Sequence, residues 1–328
     1  MNTPNDPRPT VVSVVVPLYN EENNVLPLME RLKQVFDRLQ CGWEVIFALD
    51  PSTDRTRERI LELIDTGFPI RLITFSRRIG KPLSLLAGLD HCLGDACVVI
   101  DADLQDPPEL IEQMVQKWTE GYKVVIGQRI SRKGENPFYL KAARLFYWLV
   151  EQISEVKIPR DAGDFRLLDA RVVKEICRFR ERHGFLRGIT AAVGFPVAVV
   201  PFDRDPRLSG KAQISFRGAV NIALDGIIPF SRAPLRLILV LGLALLLAGI
   251  GIGLLWFLYS LVRGFSDHWP TVLLCILMLA SAGLITASIG TLGEYVVRTY
   301  EETRERPLYV VDTMEESSSL ARKFPKTK

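Results

Sequence analysis

Residues 101–109 read DADLQDPPE and crowd Asp101, Asp103, Gln105, Asp106 and Glu109 onto one turn. Hard divalent cations take oxygen ligands, and such a turn suits Mg²⁺ or Mn²⁺. An isolated D-x-D is also what a helix N-cap or a solvated turn looks like, so alone it decides little. Its position adds weight. The turn follows the apolar run 96–100 directly, and a second acidic turn, 50–54, follows another run, 43–49. Two carboxylate turns at strand ends could hold a cation against a diphosphate, so the chemistry to expect is that of a phosphorylated ligand.

The elements that must position these turns alternate along the chain. Runs 11–16, 43–49, 70–75, 96–100 and 123–126 are continuous and apolar, as strands covered on both faces tend to be. Residues 22–39 between the first two are helical. The alternation predicts an α/β domain with a mostly parallel sheet, in which ligands gather beyond the carboxyl ends of the strands. Both acidic turns fall there.

The chain has 328 residues, 48% hydrophobic and 24% charged, enough for one or two packed domains and too ordered in composition for disorder. With 41 basic against 38 acidic residues, a net charge of +3, it lacks the lopsided charge of a nucleic-acid binder. Its 5 cysteines are scattered without CxxC or zinc-ligand spacing, and read as buried thiols of a reduced compartment. Residues 1–10 lack the order of a secretory signal, so the N-terminus is expected to stay in the cytoplasm. Residues 237–262 and 270–293 carry no charge, and each is longer than the roughly 20 apolar residues that cross a bilayer. They predict a C-terminal transmembrane hairpin. Arg232, Arg236, Arg298, Arg304 and Arg306 flank it while its loop holds only Arg263, which places both ends in the cytoplasm by the positive-inside rule. Glycines 249, 251 and 253 fall mid-span and read as close helix packing. Residues 213–230, and less clearly 138–154, read as amphipathic helices lying in the membrane interface. The expected organisation is a cytoplasmic α/β domain over 1–205, an interfacial region over 206–234, the hairpin over 235–296 and a cytoplasmic tail over 297–328, solvated from residue 315 onward.

Seven motifs occur in order: VVVPLYNEE at 14–22, DPSTDRT at 50–56, SRRIGK at 76–81, DADLQDPPE at 101–109, GQR at 127–129, DFRLLD at 164–169 and GEY at 293–295. With YEETRERPLYVV at 300–311, they make the chain resemble the polyisoprenyl-phosphate glycosyltransferases of glycosyltransferase family 2. That group includes dolichyl-phosphate mannose synthases and bacterial undecaprenyl-phosphate glycosyltransferases. The resemblance implies a GT-A domain that transfers a sugar, with inversion, from a nucleotide diphosphate to a polyprenyl phosphate. This would take place at the cytoplasmic face of the inner membrane and serve cell-envelope glycosylation. UDP-glucose is the first expectation for the donor and undecaprenyl phosphate for the acceptor, with GDP-mannose and UDP-aminosugars open.

By the same resemblance, Asp103 and Gln105 hold Mg²⁺ or Mn²⁺, with Asp101 assisting at the nucleotide end. Pro17, Tyr19, Glu21 and Asp50 line the nucleotide pocket, and Lys81 meets the donor phosphates. Arg129 matches an acceptor-phosphate arginine, Arg166 is a second phosphate contact, and Arg207 and Lys211 stand in for a Gly-x-Ser-Lys-Tyr element that here reads GKAQI at 210–214. Arg132 and Lys133 follow in a loop that equally suits a solvated surface. Leu49 replaces one acidic residue of the usual Asp-Asp-Gly-Ser turn, and Arg78 adds a charge near the expected phosphates. Asp164 falls at the family's catalytic carboxylate. A phosphate monoester has a second pKa near ~6 and is already mostly dianionic at neutral pH, so the expected role is to orient Arg166 or the acceptor. The alternative is a non-catalytic membrane scaffold, or a lipid- or nucleotide-binding partner of a flippase or polymerase, against which the retained DADLQ weighs. A processive synthase would need a Gln-x-x-Arg-Trp element that the chain lacks. Assembly into a homo-oligomer is left open by the sequence.

Overall fold

The computed structural model describes residues 11–130, 162–180, 186–203, 233–263, 269–304 and 306–323. They fall into two compact units, one carrying 233–306 and the other the remainder.

The first unit is built on eight strands. The apolar runs form β1 (Val11–Leu18), β2 (Gly42–Leu49), β3 (Ile70–Phe75), β4 (Ala96–Val99) and β5 (Val124–Arg129), joined by β6 (Ala162–Asp169), β7 (Val197–Phe202) and β8 (Val311–Glu316). Their order in one sheet is β7-β5-β6-β4-β1-β2-β3-β8. The pairs β1/β2, β1/β4, β2/β3 and β5/β7 are parallel, while β6 runs antiparallel to β4 and β5, and β8 to β3. This is the GT-A arrangement of a mostly parallel α/β sheet.

Helix α1 (Val25–Leu39) buries Val25, Leu28, Met29, Leu32, Val35 and Phe36, the i, i+3, i+4, i+7 stripe of a helix lying on a sheet. These pack with Val12, Val14 and Val16 of β1 and with Ile111 and Met114 of α4 (Leu110–Thr119) in one continuous core. Helix α2 (Thr56–Asp65) adds Ile60 and Leu63 to it. On the other face α3 (Lys81–Asp90) lies close to β1, because a Cβ at Gly88 would sit 2.3 Å from Val15 Cγ1. Short helices α5 (Ala170–Ile176) and α6 (Leu186–Ala192) follow β6.

The second unit holds α7 (Ala233–Arg263) and α8 (Trp269–Thr303), which pack on one another near Gly242 and Leu284. Within α7, Ile238–Tyr259 has a mean hydropathy of 2.8. Among the described residues it is the one helix long and apolar enough to cross a membrane. Helix α8 leaves its apolar stretch at Glu294 and ends among charged residues, with Arg298 Nε 3.1 Å from Glu294 Oε1. The two-span expectation is thus met in part.

After α8 the chain returns to the sheet of the first unit. The tail expected to be solvated from residue 315 instead begins in the end of the edge strand β8 (Val311–Glu316) and, as far as it is described, continues in the short helix α9 (Ser318–Lys323). Leu320 is 1% exposed and Ser317 fully buried. The segment reads as a tail because four of the six residues of VDTMEE are polar, which leaves it without the apolar run of the other strands. The interfacial segments 138–154 and 213–230 lie outside the described residues.

Candidate functional site

Four consecutive parallel strands end at one cavity of about 300 Å³. β1 brings Pro17, Tyr19 and Glu21 to it, β2 brings Asp50, the loop after β3 brings Arg78 and Lys81, and β4 brings Asp101 and Asp103. Six residues expected at the nucleotide site (Pro17, Tyr19, Glu21, Asp50, Lys81 and Asp101) therefore share one wall. Arg78 lies over the Tyr19 ring, 3.8 Å from its centroid.

The loops are latched to one another. Asn20, at φ +56°, accepts the Thr53 N–H at 2.8 Å and donates its own N–H to Ser52 Oγ at 3.0 Å. Asp54 accepts from Glu22 N at 3.2 Å and from Thr56 Oγ1 at 2.6 Å. Asp50, 3% exposed, accepts the N–H groups of Ile79 and Gly80, each at 2.9 Å. The second acidic turn therefore holds loops in place, and Asp50 shapes the segment that delivers Arg78 and Lys81. Leu49, where a carboxylate was expected, is a core residue 1% exposed.

The first acidic turn is bent at Leu104, whose φ of +58° is uncommon for a branched residue and marks a tightly constrained backbone. Asp103 Oδ1 accepts the Gln105 N–H at 3.2 Å. Gln105 and Asp106 are buried beneath the turn, at 9% and 1% exposure. Arg129, at the end of β5, reaches Asp106 Oδ1 with Nη2 at 3.4 Å, and its buried Nε has no hydrogen-bond partner among the described residues.

Because β6 is antiparallel to β4, its first residues lie at the carboxyl end of β4. Val99 pairs with Arg166, so Asp164 stands just past the strand end, beside the acidic turn. Lys81 Nζ bridges the two, 2.8 Å from Asp101 Oδ1 and 2.9 Å from Asp164 Oδ2. Asp164 Oδ1 meets Arg187 Nε at 2.8 Å. Burial works against the charge on Lys81, but Asp101 and Asp164 outweigh it and hold the ammonium pKa above the ordinary lysine value. Burial likewise disfavours the Asp164 carboxylate. Lys81 and Arg187 outweigh that and hold its pKa far below the usual carboxylate range.

Arg187 was not legible in the sequence, since a lone arginine 23 residues beyond its partner carries no local signal. Arg166, expected as a second phosphate contact, is turned into the protein. It is 1% exposed, and its guanidinium donates to the carbonyls of Gly163 at 2.7 Å and Asp164 at 3.3 Å. Burial pushes its pKa down to about 10, with Asp164 pulling it back and Arg187 lowering it further. It braces the floor under Asp164 rather than opening on the cavity. Arg132, Lys133, Arg207 and Lys211 lie outside the described residues.

Among the described residues no three His, Cys, Asp or Glu side chains converge into a ready-made metal cage. Asp101 and Asp103 on the cavity wall form a partial oxygen set. Such a set fits a hard cation like Mg²⁺, which commonly takes one or two carboxylates and completes its shell with substrate phosphates.

The sequence profile described as Glycosyl transferase family 2 matches residues 13–177. The glycosyltransferase YkcC of Bacillus subtilis is 40% identical over 305 residues, covering 91% of this chain and 92% of the relative. The chain belongs to glycosyl transferase family 2. Other relatives are the prophage bactoprenol glucosyl transferase homolog of Escherichia coli, 36% identical over 92% of this chain and 98% of its own, and the bactoprenol glucosyl transferase of Shigella phage SfX, 37% identical over 92% and 98%. Among solved structures, glucosyl-3-phosphoglycerate synthase from Mycobacterium tuberculosis, in complex with Mn²⁺, UDP and phosphoglyceric acid, has a TM-score of 0.43 and 22% identity, over 61% of this chain and 72% of its own. The family 2 transferase is thus an enzyme of glycosyl transfer, and its profile match takes in every strand end that borders the cavity.

Proposed function

We propose that this enzyme transfers glucose from UDP-glucose to a polyprenyl phosphate, undecaprenyl phosphate in a bacterium, at the cytoplasmic face of the inner membrane. The observation that carries the reading is that Asp101, Asp103 and Lys81 line one cavity, with Lys81 paired to Asp101, so that oxygen ligands and an ammonium stand together where a diphosphate needs both. The relatives named bactoprenol glucosyl transferases support the choice of sugar and lipid. Asp103, Gln105 and Asp101 would hold Mg²⁺ or Mn²⁺, which when bound offsets the charge gathering on the departing UDP. Tyr19 and Pro17 offer a flat wall to the base. Lys81 pairs with the diphosphate, Arg129 takes the acceptor phosphate, and Asp164 holds the reacting groups in line, so that attack from the opposite side inverts the anomeric centre.

The acceptor also dictates the architecture. Withdrawing a polyprenyl tail from the bilayer exposes CH₂ groups at about 0.8 kcal/mol each, so the site must come to the membrane surface. We assign that task to a hairpin in which α7 and the apolar part of α8 span the bilayer, and to the interfacial segment 206–234 that precedes it, with Arg207 and Lys211 near the lipid phosphate. Both chain ends are then cytoplasmic.

Purified protein with UDP-glucose, undecaprenyl phosphate and Mn²⁺ or Mg²⁺ is expected to form a lipid-linked glucose and release UDP, and Asp103→Ala to abolish both. Absence of transfer with either metal, while UDP still binds, would overturn the reading in favour of a non-catalytic scaffold.

A further inference from the structure

Asp164 lies between two cations presented by different helices. Lys81 opens α3 and pairs with Asp164 Oδ2 at 2.9 Å, while Arg187, near the start of α6, takes Oδ1 through Nε at 2.8 Å. The two partners differ in what else they hold. Lys81 also pairs with Asp101 and borders the cavity, so a donor diphosphate competes directly for it. Arg187 is not among the residues that border the cavity. A lysine ammonium is a compact charge on a flexible stem, whereas the arginine fork is planar and directional. Of the two, Arg187 is the directional partner, holding the carboxylate through Nε to Oδ1.

The seat of Arg187 is firm. Leu186, Ile189 and Thr190 beside it are buried, and Thr190 Oγ1 donates to the Leu186 carbonyl at 2.6 Å. Leu83 and Leu86 of α3 line one apolar crevice with Leu186 and Ile189 of α6. The two helices that present the cations of Asp164 thus border one apolar crevice.

Resting on the transfer reaction proposed above, we propose that Arg187 is a positioning residue that keeps the Asp164 carboxylate aimed at the reacting centre when the donor diphosphate draws Lys81 away. Arg187 touches neither sugar nor phosphate in this role; it acts through Asp164. Its removal should therefore slow turnover and spare donor binding.

The test uses the full-length protein and its Arg187→Gln and Arg187→Lys variants, with kcat and the KM for UDP-glucose measured in the transfer assay and the Kd for UDP measured separately. A misaimed catalytic group costs on the order of 100-fold, so Arg187→Gln should lower kcat by about that factor and leave KM and Kd within about twofold. Arg187→Lys, which restores the charge without the fork, should recover only part of the loss. The assignment is overturned if Arg187→Gln turns over within about twofold of the parent, or if kcat and UDP affinity fall together. If the parent protein itself moves no glucose to polyprenyl phosphate, the functional reading fails first and this assignment falls with it.

Discussion

A carboxylate whose two oxygens already face cations is a poor proton acceptor, and Asp164 is in that state. Its pKa lies far below the usual range because Lys81 and Arg187 outweigh the burial that would raise it. It therefore stays ionised through the neutral range, and kcat should show no acid limb from this group between about pH 5 and 9. The sign for stability follows from the same shift. A folded-state pKa below the unfolded value of about 3.9 contributes stability above that pH and loses it as the pH falls further. Asp164→Asn should accordingly lower the melting temperature at pH 7, where Lys81 and Arg187 lose a shared anion, and change it little near the acid limit of folding. In the transfer assay Asp164→Asn should cut kcat on the order of 100-fold while UDP binding persists. An acid limb near pH 6 in the parent that vanishes in Asp164→Asn would instead identify the carboxylate as a base.

At the scale of elements, the edge strand β8 closes the sheet through a buried charge cluster. Arg71 on β3 lies 3.6 Å from Glu44 Oε2 and 3.1 Å from Glu316 Oε1, and also donates to the His91 carbonyl. The Glu44 side chain is 0% exposed and its other oxygen accepts from Ser13 Oγ at 2.6 Å. Removing one partner of a buried pair leaves the other uncompensated, so Arg71→Met should destabilise the protein by about 3–5 kcal/mol in urea unfolding. Adding Glu44→Gln should return part of that, since the two effects share one interaction. A single-variant loss under about 0.5 kcal/mol would mean that the Ser13 hydroxyl and the Leu93 N–H already satisfy Glu44. This cluster also explains what the sequence concealed. Strands β1 to β5 are legible because both of their faces are apolar, and the acidic turn is legible because its carboxylates are adjacent in sequence. Strand β6 carries Asp164, Arg166 and Asp169 in eight residues, so its hydrophobic signal is broken by groups whose partners lie elsewhere in the chain. Arg166 reads as a phosphate contact for the same reason, and the end of β8 as a tail.

At the scale of the whole molecule, chain order makes the helical unit an insertion into the α/β fold. Residues 233–306 separate β7 from β8, yet β8 pairs with β3 and the Val310 carbonyl accepts the Ser76 N–H at 3.1 Å. Ser76 opens the loop that Asp50 holds at its far end and that carries Arg78 and Lys81 to the cavity. Ending the chain at residue 232 to obtain a soluble domain therefore removes an edge strand, the Arg71–Glu316 pair and one anchor of the donor loop. Replacing 233–306 with a flexible Gly/Ser linker while keeping 307–328 removes none of these. Closing a longer loop costs only about 0.6 kcal/mol per doubling, so linker length is a minor variable once it spans the gap. The linker protein should bind UDP like the full chain and fail to glucosylate polyprenyl phosphate in vesicles. The shortened chain should melt about 5–10 °C lower than the linker protein, as the loss of a few kcal/mol produces in a domain of this size, and should bind UDP more weakly. Equal melting temperatures and equal UDP affinities in the two proteins would show that β8 is dispensable and that the donor loop holds its shape without it.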